Sequence, residues 1–154
     1  RISFGFHFEI MRRTLFFMEY LTENNMKVVV VVEKQAGEKN CSCFIEKPID
    51  NCMLVGYGET VDKAVEDLLE TRREMIEEGR NIPKLEMSFT YDIWAFFDKY
   101  PLNISAIAKR IGVNPSLMRQ YVSGNRKPSA KRIAEIQSAI QAMGRELADV
   151  SLFA

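Results

Sequence analysis

The stretch ISAIAKRIGVNPSLMRQYVSGNRKPS (104–129) contains two short helical patterns on either side of the segment GVNPS. The apolar residues of the first pattern form a single stripe, made of Ile104, Ile107, Ala108 and Ile111. Gly112 ends this pattern, and Asn114 is a suitable N-cap for a second helix with Pro115 at its first position. The spacing predicts two helices joined by a tight turn. Two helices joined in this way can serve only to pack a hydrophobic core, or they can also present a binding surface to a partner.

The residue types of this stretch match the requirements of a helix-turn-helix position by position. Ala108 supplies the small residue at which the two helices cross, and Gly112, four residues later, tolerates the positive φ of the turn. The apolar positions that lock the helices together are Ile107, Ile111, Val113, Met118 and Tyr121. The segment SGNRKPS (123–129) adds a Gly-x-x-x-Pro spacing, and with it the stretch resembles the Xre/Cro-type repressor family.

This resemblance implies that the second helix reads DNA. In the family, side chains near the start and on the outer face of that helix meet base edges, and those positions here are Asn114, Ser116, Arg119, Gln120 and Ser123. Arginine can pair with guanine, and glutamine with adenine, through two hydrogen bonds each. The positions expected at the sugar-phosphate backbone are Lys109, Arg110, Asn125, Arg126 and Lys127. The alternative is an ordinary solvated basic surface.

Charge is divided unequally along the 154 residues, although the formal net charge of the whole chain is zero. Residues 26–100 contain ten Lys and Arg and fifteen Asp and Glu, a charge of −5. Residues 101–154 contain eight Lys and Arg and three Asp and Glu, a charge of +5. This asymmetry predicts an acidic module that can attract a basic protein and a basic module that can meet a polyanion. The hydrophobic content of the whole chain, 47%, is enough for a packed core.

The acidic part predicts the element order β-β-β-α-β, an α+β layer. Strand patterns cover 26–34, 41–47, 53–58 and 85–92, and an amphipathic helix covers 60–79 with Thr60 as N-cap and Gly79 past its end. The outer face of this helix is acidic, with Asp62, Glu66, Asp67, Glu70 and Glu74. It is either a solvated face or a docking surface for a basic partner. The apolar segment 93–101 predicts a connecting helix and hinge, and residues 102–154 an all-helical domain.

The acidic part also resembles the HicB antitoxin family. That family shows a strand ending near a proline, then Gly-x-Thr-x-x-x-Ala with the threonine opening an acidic helix, and Pro48, Gly58, Thr60 and Ala64 hold those places here. The resemblance implies a degenerate RNase H-like fold over 26–92. It implies an antitoxin that neutralises a small basic, RNA-cleaving HicA-like toxin by binding it and represses its own operon through operator DNA. The segments QAGEKN (35–40) and KPIDNC (47–52) depart from the family's pattern.

Two other functions are weighed against the antitoxin. One is a stand-alone Xre-type transcription regulator whose first domain senses a small ligand. The other is a nuclease, because the resembled fold is a nuclease fold, but the strands offer only Glu33, Glu46 and Glu86 and no Asp-led cluster for Mg²⁺. We therefore expect no catalysis. Cys41, Cys43 and Cys52 predict reduced thiols on strands, and no metal or cofactor is expected.

The remaining expectations concern location and assembly. Residues 1–25 have no counterpart in the family and are treated as a leader with no assigned function. The chain has no run of eighteen apolar residues, so we expect neither a membrane span nor a membrane partner. We expect a cytoplasmic location. One helix-turn-helix makes few base contacts, so a homodimer or a higher even oligomer is expected on a palindromic operator. The contacts between the two copies of the dimer are expected to come from the last helix or from the apolar segment 93–97.

Overall fold

The computed structural model describes residues 25–34 and 38–153, which form a mixed α+β structure. The strands are β1 (Asn25–Lys34), β2 (Cys41–Ile45), β3 (Val55–Gly58) and β4 (Lys84–Tyr91). The helices are α1 (Val61–Glu77), α2 (Ile93–Lys99), α3 (Ile104–Arg110), α4 (Pro115–Val122) and α5 (Ala130–Ala148). The predicted α+β class is confirmed, as is the order of its elements. The predicted leader lies outside the described residues except for Asn25, which opens β1.

The four strands form one sheet in the order β3-β2-β1-β4. β1 is antiparallel to β2 and parallel to β4, so that Val30 lies between Ile45 and Phe89. The valine run of β1 suits this central place because β-branched side chains pack well on a pleated surface. Only one face of β1 is fully buried, the face that carries Val30 and Val32, and it packs in the same cluster as α1. β3 and β4 are the two edges of the sheet.

Several element ends differ from the predicted ones. The strand predicted over 41–47 ends at Ile45, and the strand predicted over 53–58 begins only at Val55. The chain turns sharply between them, because Asp50 and Asn51 both adopt positive φ and Ile49 and Cys52 form an isolated bridge. The helix predicted over 60–79 is Val61–Glu77, with the Thr60 hydroxyl accepting from the Lys63 N–H at 3.2 Å.

Two hydrophobic clusters fill the structure, and α2 contributes to both. Ala95 belongs to the cluster between the sheet and α1, whereas Phe97 belongs to the cluster formed by the helices that follow. Asp92 fixes the start of α2, since its carboxylate accepts from the Ala95 N–H at 2.7 Å and from the Lys34 N–H at 2.9 Å. Lys34 also pairs with Asp98 at 2.8 Å. The segment predicted as a hinge is therefore tied to β1 near both ends of α2, through Asp92 and Asp98.

Candidate nucleic-acid interface

Helices α3 and α4 cross around a turn that the sequence specifies locally. Gly112 adopts a φ of +66°, which glycine does without steric cost. The next residue, Val113, turns back and donates its N–H to the Ala108 carbonyl at 2.9 Å. The Asn114 side chain then accepts from the Ser116 N–H at 2.8 Å and caps α4, with Pro115 as its first residue. The predicted cap, proline position and turn are all confirmed.

The two faces of α4 differ completely in burial. Met118 and Tyr121 are buried and pack with Ile107 and Ala108 of α3. Four of the five residues predicted to meet base edges are spaced i, i+3, i+4 and i+7, so they lie on one side of the helix, and all four are exposed: Ser116, Arg119, Gln120 and Ser123. Asn114, the fifth, is exposed at the N-terminal end of the helix. The helix therefore presents a continuous polar face with one cation and one amide at its centre.

Arg119 is held along this face rather than free in solvent. Its guanidinium donates to the hydroxyl of Ser105 on α3 at 3.4 Å and to the hydroxyl of Ser116 one turn earlier at 3.3 Å. Both distances are at the long end for hydrogen bonds, so the contacts are weak and an incoming acceptor can replace them. Sequence reasoning did not identify Ser105, because a serine on an exposed helix face carries no signal of its own.

The predicted backbone-contacting residues fall into three groups. Lys109, Arg126 and Lys127 are exposed and, like Arg119, form no ion pair with any carboxylate in the described part of the chain. Arg110 instead makes a two-pronged pair with Glu146 of α5, at 2.9 and 2.6 Å. That exposed pair links α5 to α3, and the hydrogen bonds from Arg110 lower the pKa of Glu146. Of these four unpaired cations, all except Arg119 were predicted to lie at the sugar-phosphate backbone. None of the four is held by a carboxylate of the described residues.

Asn125 and Ser123 have local partners of their own. The Asn125 amide donates to the Ser123 hydroxyl at 2.9 Å, and that hydroxyl donates to the Gln120 carbonyl at 3.3 Å. The backbone N–H of Arg126 donates to the same Gln120 carbonyl at 3.1 Å. These bonds order the loop after α4, so the cations of this loop start from a defined backbone.

Trp94 of α2 supports the C-terminal end of α4, a contact that sequence reasoning missed. Its indole Nε1 donates to the Tyr121 carbonyl at 2.9 Å. The ring lies directly over Gly124, where an added Cβ would be 1.4 Å from the ring atom Cζ2. Gly124 also has a φ of +76°. The sequence identified this glycine only as part of the Gly-x-x-x-Pro spacing. Its role in making room for the indole has no local sequence signal.

A separate groove lies where α1 meets the edge strand β3. Gly56 and Gly58 allow this close approach, because a Cβ at these positions would lie 2.1 Å from the Ala64 carbonyl oxygen and 2.5 Å from its backbone nitrogen, respectively. The groove has a volume of about 550 Å³, and its charged lining consists of Glu59, Lys63, Glu66, Asp67 and Glu70. With four carboxylates and one ammonium, it is strongly acidic. Tyr57, which is 63% exposed, forms its aromatic wall.

The five residues of the predicted acidic docking face are not all brought together. Glu66, Asp67 and Glu70 line the groove, and Asp67 accepts from the Tyr57 N–H at 2.9 Å. Asp62 lies outside the groove lining and pairs with Lys99 of α2. Glu74 is exposed further along the helix, also outside the groove lining. Gly56, Glu59 and Tyr57 were missed, because only the folded hairpin places them beside α1.

Comparison of the chain with protein-family models, with curated protein sequences and with solved structures finds no match.

No group of three or more His, Cys, Asp or Glu side chains is arranged to hold a metal ion in residues 25–34 and 38–153. Cys41 and Cys43 are free and buried on one face of β2, and burial raises the pKa of Cys43 to about 11. Within those ranges, every helix falls short of the length and apolar character that a membrane span requires.

Proposed function

We propose that this chain is a HicB-like antitoxin and autorepressor, which binds operator DNA through a helix-turn-helix formed by α3 and α4 and a small basic, RNA-cleaving toxin through its acidic first part. It acts by stoichiometric binding and not by catalysis, as a homodimer in the cytoplasm. The observation that carries the proposal is the outer face of α4. It joins an arginine and a glutamine on a rigid helix whose other face is fully buried.

The arrangement of polar groups on α4 suits the major groove. A helix fits this groove, and the two side chains best able to read purines, Arg119 and Gln120, are adjacent at its centre. Lys109, Arg126 and Lys127 flank the helix and can neutralise phosphates on either side. A helical hairpin that only packed a core would have no need of four unpaired cations around one exposed face.

The groove between α1 and β3 supports the second half of the proposal. A toxin that cleaves RNA needs a basic surface for its substrate, and a groove with four carboxylates and one lysine can cover such a surface. The exposed Tyr57 ring offers an aromatic contact of the kind that is common at protein interfaces. Glu66 and Glu70, one helical turn apart on α1, are the residues we expect to pair with the toxin.

The proposal predicts that a small basic toxin is encoded next to the gene of this chain, and it is tested by co-expressing the chain with that neighbour. We expect growth to be rescued and the two proteins to co-purify. Glu66→Lys with Glu70→Lys should abolish rescue and co-purification, because it reverses the charge of the groove. The matched control is Glu77→Lys with Glu78→Lys, the same charge change outside the groove lining, which should leave both intact.

DNA binding is tested separately with a reporter driven by the region upstream of the gene. We expect the chain to repress the reporter. Repression without any rescue of a toxic neighbour would reject the antitoxin and favour the stand-alone regulator. Rescue without repression would reject the helix-turn-helix assignment and leave the toxin-binding groove standing.

A further inference from the structure

Helices α3 and α4 begin with the same three-residue pattern, Asn-x-Ser. It reads NIS at the start of α3 and NPS at the start of α4, so Ser105 and Ser116 are each the second residue of their helix. Asn103 and Asn114 are the caps, and each accepts a backbone N–H of the first turn, at 3.0 and 2.8 Å. The caps fix the backbone of both first turns, so the two serines project from defined positions.

The Arg119 guanidinium bridges these two helix starts. One terminal nitrogen, Nη1, donates to the Ser105 hydroxyl at 3.4 Å, and the other, Nη2, donates to the Ser116 hydroxyl at 3.3 Å. Ser105 lies 14 residues before Arg119, so α3 and α4 orient this side chain together. A guanidinium has five N–H groups, and at least one is left on each terminal nitrogen. These are the donors that the two acceptors of guanine, O6 and N7, require.

The groups that orient Arg119 carry no charge. A hydroxyl orients a guanidinium without neutralising it, whereas a carboxylate also offsets its charge. Arg110 of α3 is an example of the second case, since it pairs with Glu146 at 2.6 Å. Glu135 of α5 is paired in the same way with Arg132. Exposed Arg119 therefore combines a defined position with an undiminished positive charge, which an arginine in an ion pair does not.

Gln120, the neighbouring residue on the exposed face of α4, is not held in this way. Its side-chain amide makes no hydrogen bond to any residue that the structure describes, whereas two hydroxyls hold Arg119. A side chain that is already oriented loses less rotamer freedom on binding. An unrestrained arginine can also reach phosphates, which carry no sequence information. Of the two central side chains, Arg119 is therefore the one whose reading of a base depends on a second helix.

We infer that Ser105 is a positioning residue for sequence-specific DNA binding. Its hydroxyl, together with that of Ser116, directs the Arg119 guanidinium to the base edge of a guanine and away from the phosphates. The inference rests on the proposed function of α4 as the helix that reads DNA. It adds the class of base that this helix reads at its centre, and a residue outside α4 on which the specificity depends.

The test uses the full chain and a duplex of the region upstream of its gene. Methylation of guanine N7 removes the acceptor that an arginine needs. The guanine that Arg119 meets is therefore the one whose methylation weakens binding of the unchanged chain but not of Arg119→Ala. Binding is then compared between the duplex and the same duplex with 7-deazaguanine at that position. We expect Ser105→Ala to lower the ratio of these two affinities about 2- to 10-fold, the effect of one lost hydrogen bond.

Three controls separate positioning from a structural effect. Ser105→Thr keeps a hydroxyl at this position and should retain the ratio. Ser138→Ala changes an exposed serine of α5 and should retain it too. Affinity for a scrambled duplex should be the same in Ser105→Ala and the unchanged chain. Ser105 is exposed and alanine is the better helix former, so the circular dichroism spectrum should not change.

Four results would overturn the inference. An unchanged chain without preference for the upstream duplex over the scrambled one would reject the proposed DNA-reading function, and the inference with it. A preference that depends on Arg119 but is equal in Ser105→Ala would reject the positioning role alone. Equal weakening of all duplexes by Ser105→Ala would make Ser105 itself a phosphate contact. If no guanine depends on Arg119 and Arg119→Ala lowers the salt dependence of binding, the guanidinium lies at a phosphate.

Discussion

Gly124, just beyond α4, is the position where one methyl group should have the largest effect on the second hydrophobic cluster. Its φ of +76° disfavours any side chain, which costs about 1–2 kcal/mol. In addition, the new Cβ would lie 1.4 Å from Cζ2 and 2.1 Å from Cε2 of Trp94, so the indole must move, at about 1–3 kcal/mol for an overpacked site. Gly124→Ala should therefore lower the free energy of unfolding by about 2–5 kcal/mol.

Gly112 provides a matched control on the other side of α4. It has a similar φ of +66°, but no atom lies within 4 Å of its virtual Cβ. Gly112→Ala should thus show the backbone strain alone, about 1–2 kcal/mol. The difference between the two variants isolates the contact between Gly124 and the indole. Urea unfolding followed by far-UV circular dichroism measures both, and the fluorescence of Trp94, the only tryptophan in the chain, reports on the ring itself.

Two results would refute this reasoning. Equal destabilisation by Gly124→Ala and Gly112→Ala would mean that the indole does not lie over Gly124. The second result would come from a double-mutant cycle. In a Trp94→Ala background, we expect the loss of unfolding free energy caused by Gly124→Ala to shrink to that of the backbone strain alone. A cost that stays unchanged in that background would place its origin elsewhere.

Three further predictions concern single groups. Asp92→Ala should cost about 1–3 kcal/mol in urea unfolding, because the Lys34 N–H loses its acceptor and α2 loses its cap. In native protein Cys52, the only half-exposed thiol among the described residues, should react first with a thiol reagent, whereas buried Cys43, with its pKa raised to about 11, should react only after unfolding. Hydrogen bonding from Arg110 lowers the pKa of Glu146. The ionised Glu146 therefore stabilises the fold above the ordinary glutamate pKa, and this stabilisation is lost as the pH falls through the lowered pKa. Glu146→Gln should flatten the curve of stability against pH in that range.

Local signals in the sequence were sufficient for the helices and strands and for the exposed face of α4. The cap at Asn114, Pro115 at the first helical position and the glycine turn at Gly112 depend on neighbouring residues only, and each is found where it was predicted. The same holds for the burial of Met118 and Tyr121, because a helical period fixes which side each residue faces. Element ends at 41–58 were wrong since Asp50 and Asn51 adopt positive φ, which their residue types permit but do not require.

Contacts between residues far apart in the chain could not be predicted from these signals. Trp94 and Tyr121 are 27 residues apart, and neither residue type specifies the other as a partner. The acidic groove likewise depends on Gly56 and Gly58, which allow α1 to rest on β3, and this brings Glu59 and Tyr57 beside Glu66. The sequence placed five acidic residues on one helix face, but tertiary packing decides which of them share a groove.

The measurement that tests the central claim most directly is the affinity of the purified chain for its own upstream DNA, compared with that of Arg119→Ala combined with Gln120→Ala. We expect the unchanged chain to prefer this DNA over a scrambled duplex. The double variant should lose that preference, at about 1–3 kcal/mol for each lost two-pronged contact, while its weak, salt-dependent binding to any duplex persists. Lys131→Ala, an exposed cation on α5 outside this face, serves as the control and should keep the preference. Undiminished preference in the double variant would contradict the assignment of α4 as the helix that reads DNA.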